Sequence, residues 1–186
     1  SLIFFLNLVC ASDIAISDSL KHFKYPRFSQ SGYIEWVLEG KTGSYIDSKI
    51  EVEDLSLRVF SGDANLEKML RLEGGMSILE PNLAIAYSDG NIKISGKGFE
   101  INGSNWSWNS KSQLIDIKSN VSVRFTQNID SVFTGNKNNA GTLIESDYLS
   151  LIINADGYSF KFKDSVELNS DEIFLKCESL GMALLS

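Results

Sequence analysis

The sequence predicts an all-β fold built from short antiparallel strands. Apolar residues alternate with polar ones along much of the chain, as at Tyr158, Phe160 and Phe162, and this period of two is typical of strands with one buried face. Turn-forming residues recur roughly every 8–12 residues, which is the spacing of a sandwich, barrel or roll. The chain has 186 residues, 43% hydrophobic and 22% charged, so it can form a globular domain with a sizeable core.

The N-terminal residues 1–11 are predicted to be a signal peptide. Residues 2–9 are nearly all apolar, and Val9 and Ala11 provide the small side chains that precede a cleavage site. We expect cleavage after Ala11; the alternatives are a remnant of an N-terminal anchor and a buried strand. Residues 12–31 are polar and irregular, which predicts a linker, and residues 32–186 are predicted to form the β domain.

Alternation predicts the strands of this domain in order. Ile50 and Val52 share one face, and the phase slips at Asp54, which indicates a bulge or a sharp bend. Leu70 and Leu72 alternate with polar residues, so residues 69–73 are predicted to be a strand rather than a helix. The later strands are centred on Ile92 and Ile94, Phe99 and Ile101, Trp106 and Trp108, Ile115 and Ile117, Val121 to Phe125, Leu149 to Ile153, Tyr158 to Phe162, Val166 and Leu168, and Leu175 and Cys177.

Turns are predicted between these strands because Gly, Asn and Asp tolerate positive φ angles. The predicted turns are Asp89-Gly90-Asn91, Ser95-Gly96-Lys97-Gly98, Asn102-Gly103-Ser104, Asn109-Ser110 and Asp156-Gly157. The second of them has no helix after it, so it is interpreted as a turn and not as a phosphate-binding loop. A loop near residues 134–141 splits the domain into two repeat-like parts. Stacked units of this kind share one core and have open ends that accept another copy.

Charge and motif content exclude several functions. The net charge of −7 argues against a duplex-binding protein, which needs a basic footprint. A single histidine, His22, cannot form a two-His metal site, and it lies in the predicted linker. The sequence contains no P-loop, GxGxxG, HExxH or CxxC motif. We therefore expect neither a metal site nor a nucleic-acid partner.

Three segments resemble a known family. The opening of LptC is resembled by three pieces of the chain: residues 32–40, Tyr45 and residues 50–60. The OstA-type repeat, which LptC shares with LptA, is resembled by residues 94–123. Residues 146–180 are similar to a further copy of that repeat. Over residues 32–180 the chain thus resembles the LptC/LptA (OstA-like) family of periplasmic lipopolysaccharide-export proteins.

The resemblance implies an open, twisted β-jellyroll, the β-taco fold, without catalysis or cofactor. Its apolar groove would carry the acyl chains of lipopolysaccharide, and its edges would dock with LptA-type bridge proteins or with further copies of itself. An inner-membrane ABC exporter complex would supply the lipid, which places the protein in the periplasm. A C-type role with a membrane anchor and a soluble A-type role both remain open.

Strand phase indicates which side chains would line the groove, where burial of each CH₂ of an acyl chain is worth about 0.8 kcal/mol. The candidates are Trp36, Leu38, Ile94, Phe99, Ile101, Trp106, Trp108, Ile117, Val121, Val123, Tyr158 and Phe160. One alternative is a secreted structural or adhesion module with a closed core and no lipid cargo. Another is a glycan-binding or glycan-cleaving protein, in which Trp106 and Trp108 would be exposed and stack on sugars.

Overall fold

The computed structural model describes residues 20–126, 141–154, 156–170 and 173–185. These residues form thirteen strands in one antiparallel sheet, with no helix among them, so the predicted all-β, jellyroll-like fold is confirmed. The strands are β1 (Leu20–Phe28), β2 (Ile34–Ile46), β3 (Lys49–Glu53), β4 (Leu55–Phe60), β5 (Lys68–Gly74), β6 (Ser77–Glu80), β7 (Ile85–Gly96), β8 (Phe99–Asn109), β9 (Leu114–Phe125), β10 (Thr142–Ser146), β11 (Tyr148–Asn154), β12 (Gly157–Asn169) and β13 (Phe174–Leu185).

Long strands and pairs of short strands lie side by side in this sheet, and each such unit, called a layer below, bends once along its length. The first half of β2 pairs with β4, as Trp36 does with Val59, and its second half pairs with β3, as Tyr45 does with Ile50. β3 and β4 are therefore the two halves of one bent layer. β5 and β6 form another such layer beside β7, and β10 and β11 form a third between β9 and β12.

The bends lie at corner residues with left-handed backbone conformations. Asp54, between β3 and β4, has a φ angle of 52°, and Asn105 in β8 and Asn120 in β9 each have 53°. Asp164 in β12 has 59°. Asp and Asn enter this region at lower cost than most side chains because their short polar groups bond locally. The phase slip predicted at Asp54 is thus confirmed as a bend.

Neighbouring corners lie next to one another, so they form one ridge along the stack. The Asn120 side chain donates a hydrogen bond to the Ser104 hydroxyl at 3.0 Å, and the Asp147 backbone N–H donates to the Asp164 carbonyl oxygen at 3.0 Å. Asn102-Gly103-Ser104 and Asp89-Gly90-Asn91 also lie at this ridge, inside β8 and β7. The prediction that these two segments separate strands is therefore wrong, because β7 and β8 each continue through them. In β7 the pairing register shifts between Ser88 and Asn91, and in β8 the left-handed residue is Asn105, directly after the predicted turn. The turns predicted at 96–98, 109–110 and 156–157 do connect consecutive strands.

The ridge divides the sheet into two arms whose inner faces are apolar. Arm 1 contains residues 23–28, 34–40, 55–60, 68–74, 91–96, 99–104, 121–125, 142–146, 166–169 and 174–177. Arm 2 contains residues 42–46, 49–53, 77–80, 85–88, 106–109, 114–118, 148–154, 157–163 and 179–185. Buried side chains of both arms belong to one continuous core cluster.

The predicted linker, residues 12–31, is not irregular where a strand occupies it. Residues 20–28 form β1, which pairs with β2 from Leu20 opposite Gly43 to Phe28 opposite Ile34, so the linker prediction is wrong there. No alternation marks this strand because only Phe23 is partly buried. A Cβ built on Gly40 would lie 2.5 Å from the Phe23 ring, so the glycine leaves the space that this ring fills.

Two sequence predictions fall outside the described residues. The structure does not describe residues 1–19, which contain the predicted signal peptide (residues 1–11). It also does not describe residues 127–140, which contain most of the predicted dividing loop (residues 134–141). The ladder nevertheless continues across that loop, because Phe125 of β9 pairs with Thr142 of β10. The two repeat-like parts therefore share one sheet.

Candidate binding site between the two arms

The twelve candidate groove residues all face the interior between the arms. Each is buried: the most exposed, Trp36 and Tyr158, retain 3% of their accessible surface. Strand phase is therefore predicted correctly at every candidate position, whereas lipid binding by these residues stays a prediction. Burial of Trp106 and Trp108 rules out the surface on which they would stack sugars.

Aromatic rings from opposite arms meet in this interior. Trp36 of β2 contacts Trp108 of β8 edge to face, with 5.2 Å between ring centroids. Phe99 of β8 contacts Phe160 of β12 in the same geometry at 5.0 Å, and Phe125 of β9 contacts Phe160 at 5.2 Å. The partner strands are not neighbours in the sheet, so these contacts cross the interior. The arms are thus offset along the stack, as expected of a twisted sheet.

The interior also contains apolar residues that the candidate set missed. Phe125, Phe162, Leu149 and Leu151 are fully buried in the same cluster. Their alternation is as regular as that of the chosen residues, so the strand pattern would have found them. Met69, whose contact with the opposite arm is described next, had no comparable signal.

Tyr158 provides the polar connection between the arms. Its hydroxyl, on β12 of arm 2, donates a hydrogen bond to the carbonyl oxygen of Met69 on β5 of arm 1. Burial raises the pKa of Tyr158, and a hydrogen bond from the backbone N–H of Lys97, in the turn between β7 and β8, lowers it. Apart from contacts at the ridge, such as the hydrogen bond that the Ser146 hydroxyl donates to the Tyr148 carbonyl oxygen at 3.0 Å, every hydrogen bond between the arms among residues 20–126, 141–154, 156–170 and 173–185 involves the Tyr158 hydroxyl. The ion pairs among these residues all lie outside the interior.

A cavity of about 290 Å³ lies between the free ends of the arms. One wall is the turn between β4 and β5 together with Met69, and the other contains Gln113 and Ile153 of arm 2. The Asp63 carboxylate fixes the first wall by accepting hydrogen bonds from the Ser61 hydroxyl at 2.8 Å and the Asn65 N–H at 2.9 Å, which lower its pKa. This cavity, called the mouth below, is the opening toward the interior on the side opposite the ridge.

Several polar atoms of the interior have no hydrogen-bond partner. They are Nε1 of Trp36, Trp106 and Trp108, Oγ of Ser110, Oε1 of Gln113 and Oγ1 of Thr142. A buried polar group without a partner costs about 1–3 kcal/mol, so this set is unusual for an ordinary closed core.

Other kinds of site have no support in the described ranges. No group of three His, Cys, Asp or Glu residues there could hold a metal ion. No helical segment in those ranges has the length and apolar character needed to cross a bilayer.

No protein-family model fits the sequence, and no curated protein matches it significantly.

Proposed function

We propose that this protein is a periplasmic lipopolysaccharide-binding transport protein of the LptC/LptA (OstA-like) type. The acyl chains would lie in the apolar interior between the arms, in contact with the twelve candidate residues. The observation that carries the proposal is that the backbone ladder joins the arms at the ridge, while side chains alone hold them together elsewhere. The interior can therefore open at the mouth without loss of any strand pairing in the described part of the chain.

Burial of an acyl chain can compensate for the contacts between the arms that opening breaks. Opening breaks the Tyr158 hydrogen bond, worth about 1 kcal/mol net, and aromatic pairs worth about 0.5–1.5 kcal/mol each beyond their buried area. An acyl chain with about twelve methylenes gains roughly 10 kcal/mol from burial, at about 0.8 kcal/mol per CH₂. Lipid can thus replace the contacts between the arms, which is what a carrier that loads and releases cargo requires.

The two edges of the stack support docking with similar proteins. β1 pairs only with β2 and β13 only with β12 among the described strands, so each has one backbone edge without a partner. The inward residues Leu180, Met182 and Leu184 of β13 pack against the core yet are only half-buried, and another layer would cover them. An unpaired edge accepts a further strand through backbone hydrogen bonds. We propose that an LptA-type bridge protein, the inner-membrane exporter complex or a second copy adds to these edges.

Docking of a second copy can be tested by disulfide formation between opposite edges. Lys24 of β1 and Lys176 of β13 are both exposed residues of arm 1. In a C10S/C177S background, which removes both native cysteines, a mixture of the K24C and K176C proteins should form mixed disulfide dimers more rapidly than either protein forms its own. Equal rates for all three combinations would contradict head-to-tail docking of copies.

Photo-crosslinking to lipopolysaccharide tests the lipid site. A benzoylphenylalanine at Phe160 would face the interior, and one at the adjacent Lys161 would face solvent on the same strand. We expect a lipopolysaccharide adduct at position 160 and little at position 161. A folded protein that gives equal adducts at both positions, or none at position 160, would overturn the proposal.

The second candidate is a structural or adhesion module with a closed core. The observation that favours it is the complete burial of interior residues such as Leu38, Ile94 and Phe162. Absence of an adduct at position 160, with the protein folded, is the outcome that this candidate predicts.

A further inference from the structure

The three tryptophans of the chain share one property that an apolar core does not require. Trp36, Trp106 and Trp108 are the only tryptophans in the sequence, and each is at least 97% buried with an Nε1–H that lacks an acceptor. An unpaired buried donor loses its hydration without compensation, and most buried indole groups in proteins do find a partner. Each of the three indole donors thus has no acceptor within hydrogen-bond distance.

The contact between Trp36 and Trp108 satisfies at most one of these donors. Their ring planes are at 89°, so one indole presents its edge to the face of the other. An N–H directed at an aromatic face is a weak hydrogen bond, and only one ring of the pair can make it. The other indole of the pair and Trp106 keep unpaired donors.

Polar groups without a partner lie along the inner face of β8 and the turn after it, from the ridge to the mouth. Trp106 comes directly after the corner residue Asn105, Trp108 is two residues further on, and the turn after β8 contains the unpaired Ser110 hydroxyl. The unpaired Oε1 of Gln113 belongs to the same turn, and Gln113 lines the mouth. Trp36 faces this row from arm 1.

We infer that the interior binds acyl chains through their ester, amide or hydroxyl oxygen atoms as well as through their methylene groups, with the indole N–H groups of Trp36, Trp106 and Trp108 as donors. The inference rests on the proposed function and specifies its ligand chemistry. A plain alkyl chain would leave the three donors unpaired, whereas the carbonyl oxygen of an ester or amide accepts the hydrogen bond that each lacks. These tryptophans would therefore select acylated amphiphiles over alkyl amphiphiles of equal length.

A matched pair of soluble lipids separates the two ligand chemistries. The probes are dioctanoyl phosphatidylglycerol and its dioctyl ether analogue, which share headgroup and chain length but differ in the carbonyl groups. We expect the ester lipid to bind about tenfold more tightly, as for one or two hydrogen bonds gained. We also expect the ester lipid to move the ¹⁵N-indole resonance of at least one tryptophan downfield, while the ether lipid moves none in that direction.

Two variants assign the preference to the indole groups. W108F should reduce the ratio of ester to ether affinity, because it removes a donor and keeps a ring. F99L should weaken both lipids and leave the ratio unchanged, because Phe99 provides only apolar contact in the same interior. The wild-type indole spectra provide the same test if W108F does not fold.

The outcomes distinguish the two proposals. Equal affinities for the two lipids, without a downfield indole shift, would overturn the donor role and leave the lipid carrier standing. If the protein binds neither the two probes nor lipopolysaccharide, the proposed function and this inference are both overturned.

Discussion

The hydroxyl group of Tyr158 in β12 donates a hydrogen bond to the carbonyl oxygen of Met69 in β5, although the two residues are 89 positions apart in the sequence. β5 belongs to arm 1 and β12 to arm 2, so this bond closes the interior near the mouth. Met69 itself lines the mouth cavity. The relationship makes Tyr158 the residue whose loss should affect the opening of the arms most directly.

Replacement of Tyr158 by Phe should make the interior easier to open. We expect Y158F to lower the free energy of unfolding by about 1 kcal/mol, because one hydrogen bond is lost and the ring is kept. Stopped-flow mixing with a fluorescent acyl lipid should also show faster entry of the lipid. The control is Y148F, since the Tyr148 hydroxyl bonds Asp116 within arm 2. Equal entry rates for wild type, Y158F and Y148F would contradict a closing role for Tyr158.

Tyr148 should make stability depend on pH in the alkaline range. Burial, followed by the hydrogen bond with Asp116, raises the pKa of Tyr148 from 10.0 to about 12. Because the folded state holds the proton more tightly, the stabilisation is complete below pH 10 and is lost as the pH rises toward 12. Urea unfolding at pH values between 9 and 12 should therefore show a steeper loss of stability for wild type than for Y148F. Parallel losses would show that Tyr148 does not titrate in this way.

The corner residues should tolerate Gly better than β-branched residues. Asn105 is exposed and has a φ angle of 53°, so N105G should change the free energy of unfolding by less than about 1 kcal/mol. N105V should cost about 1–3 kcal/mol, because a branched Cβ is strained in this conformation. S107V, two residues further along the same strand, is the control for valine at an ordinary strand position. If N105V and S107V are equally stable in thermal unfolding, the left-handed bend is not required.

Strand phase was predictable from the sequence because one face of each layer is buried. In β8, Trp106 and Trp108 alternate with Ser107 and Asn109, and the structure buries only the tryptophans. β1 gave no such signal, because it is an edge strand that pairs with β2 and its side chains are mostly exposed. A strand with only one partly buried side chain has no hydrophobic period to detect.

The corners and the contacts between arms were not predictable from local sequence. Asn102 and Gly103 predict a turn, but β8 continues through them and the left-handed residue is Asn105. Residues that tolerate a positive φ angle occur both in hairpin turns and in bends within a strand. The contact of Tyr158 with Met69 depends on the offset of the arms, which accumulates from the twist of many layers. Alternation indicates which face of a strand is buried, but it does not identify the residue on the opposite arm.

The separation of the arms upon lipid binding tests the central claim most directly. Spin labels at Arg71 of arm 1 and Lys161 of arm 2, both exposed, would report the distance between the arms by double electron–electron resonance in a C10S/C177S background, which removes both native cysteines. Labels at Lys24 and Glu100, both in arm 1, provide the control. We predict that lipopolysaccharide lengthens the R71C–K161C distance and leaves the K24C–E100C distance unchanged. An unchanged R71C–K161C distance at a lipopolysaccharide concentration that saturates binding would contradict entry of acyl chains between the arms.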